Sequence, residues 1–330
     1  MKKNVLSLTD RLLLDEVQRR FPLCTRPFAE IGDRLKLSEA AVLRRLRRFK
    51  ARGLIRRIGP IFDARKNGLT GVLVAIMVPP SRIERAVVCI NSFEGVTHNY
   101  LRRHPINVWF TLACRDRAGQ KTILKEIKRR VSPLRCLELP ARRIFKLGLI
   151  FDLGVPTGTG GRAGRKRKIY RADARRPKDA AVRSSMEKIS VDLPLVSRPF
   201  PRGALKALRF LVASGRIRRF GAVLNGGRLG LRYNALVAWR VGQRRIVSAG
   251  RRLAEFPQVS HCYARARSRS WPYDLYTMIH ARDKVSGRRL IMEMARERRI
   301  ADYAVLETVR ELKRSSIGPA VMFETRNPKL

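Results

Sequence analysis

The phrase IRRIGPI at residues 55–61 returns as IRRFGAV at residues 217–223. An earlier pair, PLCTRPF at residues 22–28 and PLVSRPF at residues 194–200, repeats in the same order. Matching phrases in matching order indicate two copies of one module, and such a repeat constrains the fold more than any single motif does. The sequence therefore predicts a duplicated unit.

The spacing inside the two copies shows which part of the module is kept. The RPF phrase and the arginine pair are 28 positions apart in the first copy and only 18 apart in the second. Farther along, His98 follows Arg56 by 42 positions and His261 follows Arg218 by 43. The second copy therefore lacks about ten residues before its arginine pair, whereas the distance from that pair to a histidine is preserved.

The residues before the first arginine pair have the pattern of a winged helix-turn-helix. Leu13, Leu14 and Val17 keep helical spacing, residues 28–35 form a second helical run, and Ser38 is a suitable N-cap for a third that ends at Gly53. A short turn between two helices is typical of helix-turn-helix motifs. We predict a winged helix-turn-helix over residues 1–65 and a truncated one over residues 191–225.

The following segment alternates between strand and helix patterns. Residues 72–78 are a short run rich in β-branched side chains, which predicts a strand. Helices are predicted near residues 81–91 and 120–131. The run VTHNYLRRHPINVWF at residues 96–110 forms a hairpin if it turns at residues 102–105, and a last strand covers residues 136–145. Strand, helix, strand, strand, helix, strand is the ferredoxin-like order. Such domains are predicted over residues 66–154 and 226–330.

Together these segments predict an α+β protein of two tandem modules, each a winged helix-turn-helix followed by a ferredoxin-like α/β sandwich, that form an intramolecular pseudo-dimer. Residues 155–190, rich in glycine and in basic residues, are predicted to be a flexible linker.

The chain carries an excess of positive charge. Among its 330 residues, 73 Lys and Arg stand against 26 Asp and Glu, which gives a formal net charge of +47. Such a surface attracts anions, either nucleic acid or a polycarboxylate ligand. The five cysteines are scattered and indicate reduced thiols, with no disulfide framework or zinc site. Neither a secretory signal nor a membrane-spanning run is apparent, so we expect a cytoplasmic protein.

Two histidines occupy the same place in the two copies. His98 is followed two positions later by Tyr100, and His261 by Tyr263. Residues i and i+2 of a strand face the same side, so each pair would present a titratable ring and a phenol to one site. Histidine is the side chain whose ordinary pKa lets it exchange a proton near neutral pH. Satisfied ring nitrogens inside the fold are the alternative role.

The plan of a winged helix followed by a ferredoxin-like domain resembles the Lrp/AsnC family of transcription regulators. The phrases RPFAEIGDRL, IRRIGPIF and GVTHNYLRRHPINVWFTL are similar to one subunit of the siroheme decarboxylase family, which has this architecture. IRRFGAVLN, RLGLRYNALVAWRV and FPQVSHCYARARSRSWPYDLYTMIH are similar to its other subunit. The chain thus resembles the fused form of that family.

The resemblance implies a function. Members remove CO2 from the C12 and C18 acetate side chains of siroheme, in heme d1 or alternative heme synthesis, and siroheme is the substrate with no further cofactor required. A second homologous decarboxylase chain is an expected partner. The implied catalytic residues are His98, Tyr100, His261 and Tyr263. Siroheme has several carboxylates, and arginine offers planar bidentate contacts to them. The expected substrate-binding residues are Arg56, Arg57, Arg102, Arg103, Trp109, Arg218, Arg219, Arg265, Trp271 and Tyr273.

Three alternatives stay open at this point. The chain could be a DNA-binding regulator, which accounts for the first helix-turn-helix and for the charge. It could be a tetrapyrrole carrier or sensor without turnover. Within the enzyme reading, either repeated histidine could instead ligate the siroheme iron, with His104 and His280 as weaker candidates.

Overall fold

The computed structural model describes residues 6–148, 150–155, 192–268 and 270–315. The predicted linker lies outside these residues except for its first position. By contacts between Cα atoms the chain divides into two units, one of residues 1–67 and 150–229, the other of residues 68–149 and 230–330.

The described elements follow in chain order. The helices are α1 (Leu8–Arg19), α2 (Pro27–Leu35), α3 (Glu39–Ala51), α4 (Ile83–Ser92), α5 (Arg117–Val131), α6 (Ala204–Ala213), α7 (Ile246–Glu255) and α8 (Lys284–Glu297). The strands are β1 (Ile55–Phe62), β2 (Thr70–Met77), β3 (Val96–Arg102), β4 (Val108–Cys114), β5 (Arg135–Leu147), β6 (Ile217–Leu224), β7 (Tyr233–Trp239), β8 (Val259–Arg265), β9 (Leu275–Ala281) and β10 (Tyr303–Arg314).

The first unit contains the helix-turn-helix. Ser38 caps α3 as predicted, because its hydroxyl accepts a hydrogen bond from the backbone N–H of Ala41 at 3.2 Å. Lys36, in the turn between α2 and α3, has a left-handed conformation with φ of 55°. In the second copy α6 is the single described helix between residues 192 and β6, in keeping with the shorter spacing seen in the sequence.

The two repeated arginine phrases pair with each other. Strands β1 and β6 form a two-stranded antiparallel sheet in which Gly59 lies opposite Gly221. Helix α1 packs closely on this sheet, since a Cβ atom added at Gly221 would lie 2.5 Å from the carbonyl oxygen of Val17. The two copies of the arginine phrase are therefore related by a local two-fold axis that passes near this glycine pair.

The second unit is a closed barrel of eight strands in the order β10-β3-β4-β2-β5-β8-β9-β7. Within each copy the strands keep the predicted ferredoxin-like sequence. The long last strands join the copies: Arg135 to Pro140 of β5 pair with β2, and Ala141 to Leu147 pair with β8. Strand β10 does the same with β7 and then β3. The α+β class and the pseudo-dimer are thus confirmed, and the exchange of strands closes the barrel.

Three apolar clusters stabilise this unit. One lies between the first-copy strands and helices α4 and α5, and a second lies between the second-copy strands and helices α7 and α8. The third fills the inside of the barrel and includes Trp109, Trp271 and Tyr276. Residues that alternate along each strand therefore face either a helix layer or the barrel interior.

Candidate active site

Strand β3 carries a row of three polar side chains toward the barrel interior. The ring of His98 stacks beside that of Tyr100 with centroids 6.4 Å apart, and the guanidinium carbon of Arg102 lies 5.0 Å from the centroid of the Tyr100 ring. The intervening Asn99 points the other way, toward α4, where its side chain donates to Asn91. The spacing i, i+2, i+4 thus places an imidazole, a phenol and a guanidinium in one row.

Strand β8 repeats the row with the same geometry. The rings of His261 and Tyr263 are 6.2 Å apart, and the guanidinium carbon of Arg265 lies 4.9 Å from the centroid of the Tyr263 ring. The predicted pairing of each histidine with its tyrosine is present in both copies. We call these two sets, His98–Tyr100–Arg102 and His261–Tyr263–Arg265, the first and second ladders.

Both ladders have the same direction. Every neighbouring pair of strands in the barrel is antiparallel, and four steps separate β3 from β8 around the ring, so these two strands run parallel to each other. His98 and His261 stand near the starts of their strands, and Arg102 and Arg265 are the last residues. The two histidines therefore lie toward one end of the barrel and the two arginines toward the other.

The ladder arginines are buried cations. Arg102 is 3% exposed and donates to the carbonyl oxygen of Leu306 and to the Thr308 hydroxyl, both at 3.0 Å. Arg265 is 8% exposed and donates to the carbonyl oxygen of Leu139 at 2.7 Å. Within the described part of the chain neither guanidinium has a carboxylate partner, and the Nε of each is buried without an acceptor.

Burial shifts the ionisation of this row. Burial lowers the pKa of Arg102 to about 10 and also lowers that of Arg265. An unneutralised buried cation is costly for a protein to maintain. A site that holds two of them favours an anionic ligand.

The histidines are half-buried and contact hydroxyl groups. Burial, with a contribution from Arg314, lowers the pKa of His98 to about 4, so its imidazole is neutral at pH 7. Its Nδ1 lies 3.0 Å from the hydroxyl of Thr97. In the second copy the Nδ1 of His261 lies 2.8 Å from the hydroxyl of Ser260. Each ring is thus oriented by the hydroxyl of the preceding residue.

The second copy adds another histidine to this contact. The Nε2 of His280 on β9 lies 2.8 Å from the same Ser260 hydroxyl, and burial, assisted by Arg314 and Arg102, lowers the pKa of His280 to about 4. The corresponding position on β4 is Ala113. The backbone N–H of Ala113 donates to the carbonyl of Gly95, three residues before His98, and that of His280 donates to Gln258, three residues before His261.

The predicted aromatic residues form a connected group beyond the arginines. The Nε1 of Trp271 donates to the Tyr276 hydroxyl at 2.8 Å, and the rings of Trp109 and Trp271 are 5.6 Å apart. Trp109 is 1% exposed and Trp271 is 4% exposed, so in this structure both indoles act as packing. Tyr273 is half-buried against Trp271 with centroids 4.9 Å apart.

The remaining predicted arginines lie elsewhere. Arg103 follows the first ladder in an exposed turn, where its Nε is 3.6 Å from a carboxylate oxygen of Glu307. Arg56, Arg57, Arg218 and Arg219 lie in the first unit, on the β1–β6 sheet. Burial and the neighbouring cations Arg218, Arg57 and Arg19 lower the pKa of Arg219 to about 10.

Two other features bear on the sequence predictions. All five cysteines are free thiols. In the part of the chain that the structure describes, no three His, Cys, Asp or Glu side chains are grouped as metal ligands, and no helix has the length and hydropathy needed to span a bilayer.

Comparison with known proteins assigns this arrangement to a family. Residues 10–56 match the siroheme decarboxylase NirDL-like HTH domain, and residues 66–146 and 228–313 match the AsnC-like ligand binding domain. A siroheme decarboxylase of Hydrogenobacter thermophilus is 30% identical over an alignment of 316 residues, and this alignment covers 92% of this chain and 93% of the relative. The chain belongs to the siroheme decarboxylase family. The resemblance deduced from the repeated phrases is thereby confirmed.

Further members show how the siroheme decarboxylase family is organised. The siroheme decarboxylase NirDL subunit of Paracoccus pantotrophus is 34% identical over 86% of this chain and 88% of its own length. The siroheme decarboxylase alpha subunit of Desulfovibrio desulfuricans is 44% identical, over 44% of this chain and 83% of its own length. Members with one copy of the module therefore stand beside members, like this chain, with two.

Solved structures of the family agree with the fold. The crystal structure of the siroheme decarboxylase NirDL has a TM-score of 0.67 at 26% identity and covers 94% of this chain and 93% of that chain. A second NirDL structure, in co-complex with an iron-uroporphyrin III analogue, has the same TM-score and covers 96% of each chain. The latter protein thus binds a tetrapyrrole.

The sequence analysis did not assign a catalytic role to several residues that the structure places in the site. Thr97 and Ser260 each stand directly before a repeated histidine. A hydroxyl residue at this position in both copies is a signal from which their contact with the histidines could have been predicted. Arg102 and Arg265 are predicted as ligand contacts, but the same alternation that pairs His with Tyr also places them in the row. His280 has no counterpart in the first copy, so the repeat gives no signal for it.

Proposed function

We propose that this protein removes CO2 from the C12 and C18 acetate side chains of siroheme to give 12,18-didecarboxysiroheme, in heme d1 or alternative heme biosynthesis. Siroheme is bound as substrate, and no additional cofactor takes part. The observation that carries the proposal is the mirrored pair of ladders, in which two buried arginines without carboxylate partners stand in rows with histidines, in a chain of the siroheme decarboxylase family.

The arginines supply the binding part of the chemistry. Arg102 and Arg265 retain one Nε–H each for an incoming carboxylate, and in a buried site such a charge-assisted hydrogen bond is stronger than at the surface. For Arg56, Arg57, Arg218 and Arg219, on the β1–β6 sheet of the first unit, contact with carboxylates stays a separate prediction. The mutual repulsion that lowers the pKa of Arg219 is relieved when an anion binds among these cations.

The histidines supply the proton. When the C–C bond breaks, its electron pair stays on the methylene carbon that was attached to the departing carboxylate, and CO2 leaves. The macrocycle delocalises this charge until a proton reaches the carbon and forms a methyl group. We propose His98 and His261 as the donors. Tyr100 and Tyr263, stacked between imidazole and guanidinium, hold the donor and the carboxylate contact in one row.

The rival function is DNA binding, which the charge of +47 and the helix-turn-helix favour. Contacts along α3 weigh against it. Arg47 donates to the carbonyl of Leu195 at 2.7 Å, and the ammonium of Lys50 lies 2.6 Å from Asp192, so the segment that enters the second copy occupies two of the helix's cations. Arg45 and Arg48 are also paired, both with Asp10. Retention on DNA that salt abolishes and that shows no sequence preference would reflect charge alone.

Anaerobic incubation with siroheme, with the products resolved by mass, tests the proposal. We expect the loss of two CO2 per siroheme. Tight binding of siroheme without any change in its mass would instead indicate a carrier or sensor. His98→Ala and His261→Ala should each bind siroheme and fail in one or both decarboxylations, and full activity in both variants would refute the assignment of the donors.

A second homologous chain is the remaining proposed partner. Family members named as alpha and NirD subunits match about 44% of this chain, which corresponds to one copy of its module. If such a chain completes the enzyme, adding it to the purified protein should raise the rate of CO2 release. An unchanged rate would show that the two fused copies suffice.

A further inference from the structure

The two ladders differ at one point, the hydroxyl beside each histidine. In the first copy the Thr97 hydroxyl contacts His98, and the position across the hairpin is Ala113. In the second copy the Ser260 hydroxyl lies 2.8 Å from both His261 and His280. A third contact of this hydroxyl, to the carbonyl of Met278, is longer at 3.4 Å. Ser260 is 4% exposed, so water is largely excluded from the bridge.

A serine between two imidazoles couples their protonation. The hydroxyl has a single proton, so it donates to one ring nitrogen and accepts from the other. If it donates to the Nδ1 of His261, and that ring has a single N–H, then the N–H is on Nε2. In this arrangement His280 donates its Nε2–H to the serine oxygen. If the bridge is reversed, both rings change tautomer together. Movement of one proton along the bridge therefore shifts two others.

This coupling answers a difficulty in the proposed reaction. A neutral imidazole that gives up its N–H becomes an anionic imidazolate, which is strongly unfavourable, unless a proton arrives at its other nitrogen in the same step. His98 is neutral at pH 7, and in the described structure the one hydroxyl that its Nδ1 contacts is that of Thr97. The first-copy counterpart of His280 is Ala113, so no second imidazole contacts the Thr97 hydroxyl from that position. In the second copy, by contrast, the Ser260 hydroxyl that contacts His261 also contacts the imidazole of His280.

We infer that His280 is a positioning and relay residue that resupplies the proton of His261 through Ser260, so that the second ladder has a route for proton replacement that the first ladder lacks. This inference rests on the proposed decarboxylation. The C–C bond breaks, CO2 leaves, and the methylene carbon takes the Nε2 proton of His261. Nδ1 of His261 takes the hydroxyl proton of Ser260, the serine oxygen takes the Nε2 proton of His280, and solvent supplies one proton to the half-buried His280 ring. The sum is one solvent proton consumed per CO2 released.

The charges around His280 suit a neutral relay. Arg314 on β10 and Arg102 on β3 are the cations that face it, and with burial they keep the ring uncharged at pH 7. A neutral ring carries one N–H and one acceptor nitrogen, which is the state that a relay requires. A ring held as imidazolium would have two donors and could not accept the replacement proton.

The test compares His280→Gln, His280→Ala and Ser260→Ala with the whole chain in anaerobic single turnovers with siroheme. Glutamine can still donate a hydrogen bond to Ser260 but cannot pass a proton on. We expect siroheme affinity within about threefold of wild type and a decarboxylation rate lowered by about tenfold or more in each variant. The product profile should match that of His261→Ala and differ from that of His98→Ala.

Added imidazole distinguishes a relay from a packing role. It should restore part of the rate of His280→Ala and none of the rate of Ser260→Ala, in which the bridge itself is missing. Val88→Ala, at a side chain that is 72% exposed on α4, is the control variant, and its decarboxylation rate should equal that of wild type. A wild-type rate in His280→Gln, or a profile like that of His98→Ala, would overturn the inference. Wild-type protein that releases no CO2 from siroheme would instead refute the proposed function.

Discussion

The guanidinium carbon of Arg102 lies 5.0 Å from the centroid of the Tyr100 ring, at a position 3% exposed and, among the described residues, without a carboxylate partner. Its second-copy equivalent, Arg265, stands in the same relation to Tyr263 at 4.9 Å. Stability alone does not explain such cations, because desolvation of an unpaired charge opposes folding. Binding of an anion does explain them.

Arg102→Met and Arg265→Met should therefore affect stability and binding in opposite directions. Methionine fills a similar volume without the buried charge, so we expect the free energy of unfolding to rise by about 1 kcal/mol. Siroheme binding should weaken by about 2 kcal/mol or more, since a buried charge-assisted contact is lost. Denaturant titration and spectral titration with siroheme measure the two quantities.

Arg117→Met, at an exposed position on α5, is the matched control for these variants and should change neither quantity appreciably. If stability and affinity fell together in the Arg102 and Arg265 variants, the arginines would be structural residues and the anion site would have to lie elsewhere.

The close packing of α1 on the β1–β6 sheet makes a prediction about the first unit. A methyl group at position 221 would meet the carbonyl oxygen of Val17 at 2.5 Å, so Gly221→Ala must displace the helix or the strand. We expect a loss of about 2 kcal/mol in the free energy of unfolding. Gly227→Ala is the control, because its nearest neighbour would be an Asn225 oxygen at 3.5 Å. Equal stability of the two variants would contradict this packing.

The buried indoles allow a test of contact against packing. Trp109 donates its Nε1–H to the carbonyl of Ile106 at 2.7 Å and lies against Trp271. Trp109→Phe should lower the free energy of unfolding by about 2 kcal/mol, because it leaves a cavity and an unpaired carbonyl. Siroheme affinity should stay at the wild-type value if the ring is packing only. A large loss of affinity at unchanged stability would show that the indole contacts the substrate.

Much of the fold follows from the sequence because its determinants are local or repeated. The spacing of His98 and Tyr100 on one strand face, the Ser38 cap and the alternation of strand and helix can all be read from short segments. The duplicated arginine phrase predicts a pseudo-dimer, but not that Gly59 would pair with Gly221.

The rest of the site depends on contacts between residues far apart in the chain. Strands β5 and β10 each pair first with a strand of their own copy and then with a strand of the other copy. This exchange determines which side chains of one copy lie next to the ladder of the other. His280 reaches Ser260 because β8 pairs with β9 in the same register as β3 with β4, and a histidine stands there in place of Ala113. Neither propensity nor periodicity encodes that register, and an unrepeated histidine gives no signal of its own.

The depressed pKa values of His98 and His280 predict a dependence of stability on pH. Each has a pKa of about 4 in the folded protein, against an ordinary value of about 6.5 in the unfolded chain. Between these values the unfolded state binds more protons than the folded state, so stability rises with pH. The full contribution is present above about pH 6.5. It is lost as the pH falls toward 4.

The charges that face these rings set the size of the effect. Arg314 faces both, Arg102 faces His280, and Glu311 acts on His98 in the opposite sense. Each histidine should contribute about 1–3 kcal/mol over this range. Carboxylates also titrate there, so the informative quantity is the difference between wild type and His280→Gln, measured by urea unfolding at pH 7.5, 5.5 and 4.5. The variant, which lacks one titrating ring, should lose less stability on acidification. Parallel curves for the two proteins would mean that His280 is not held neutral in the fold, and the relay through Ser260 would then lack the uncharged ring that it requires.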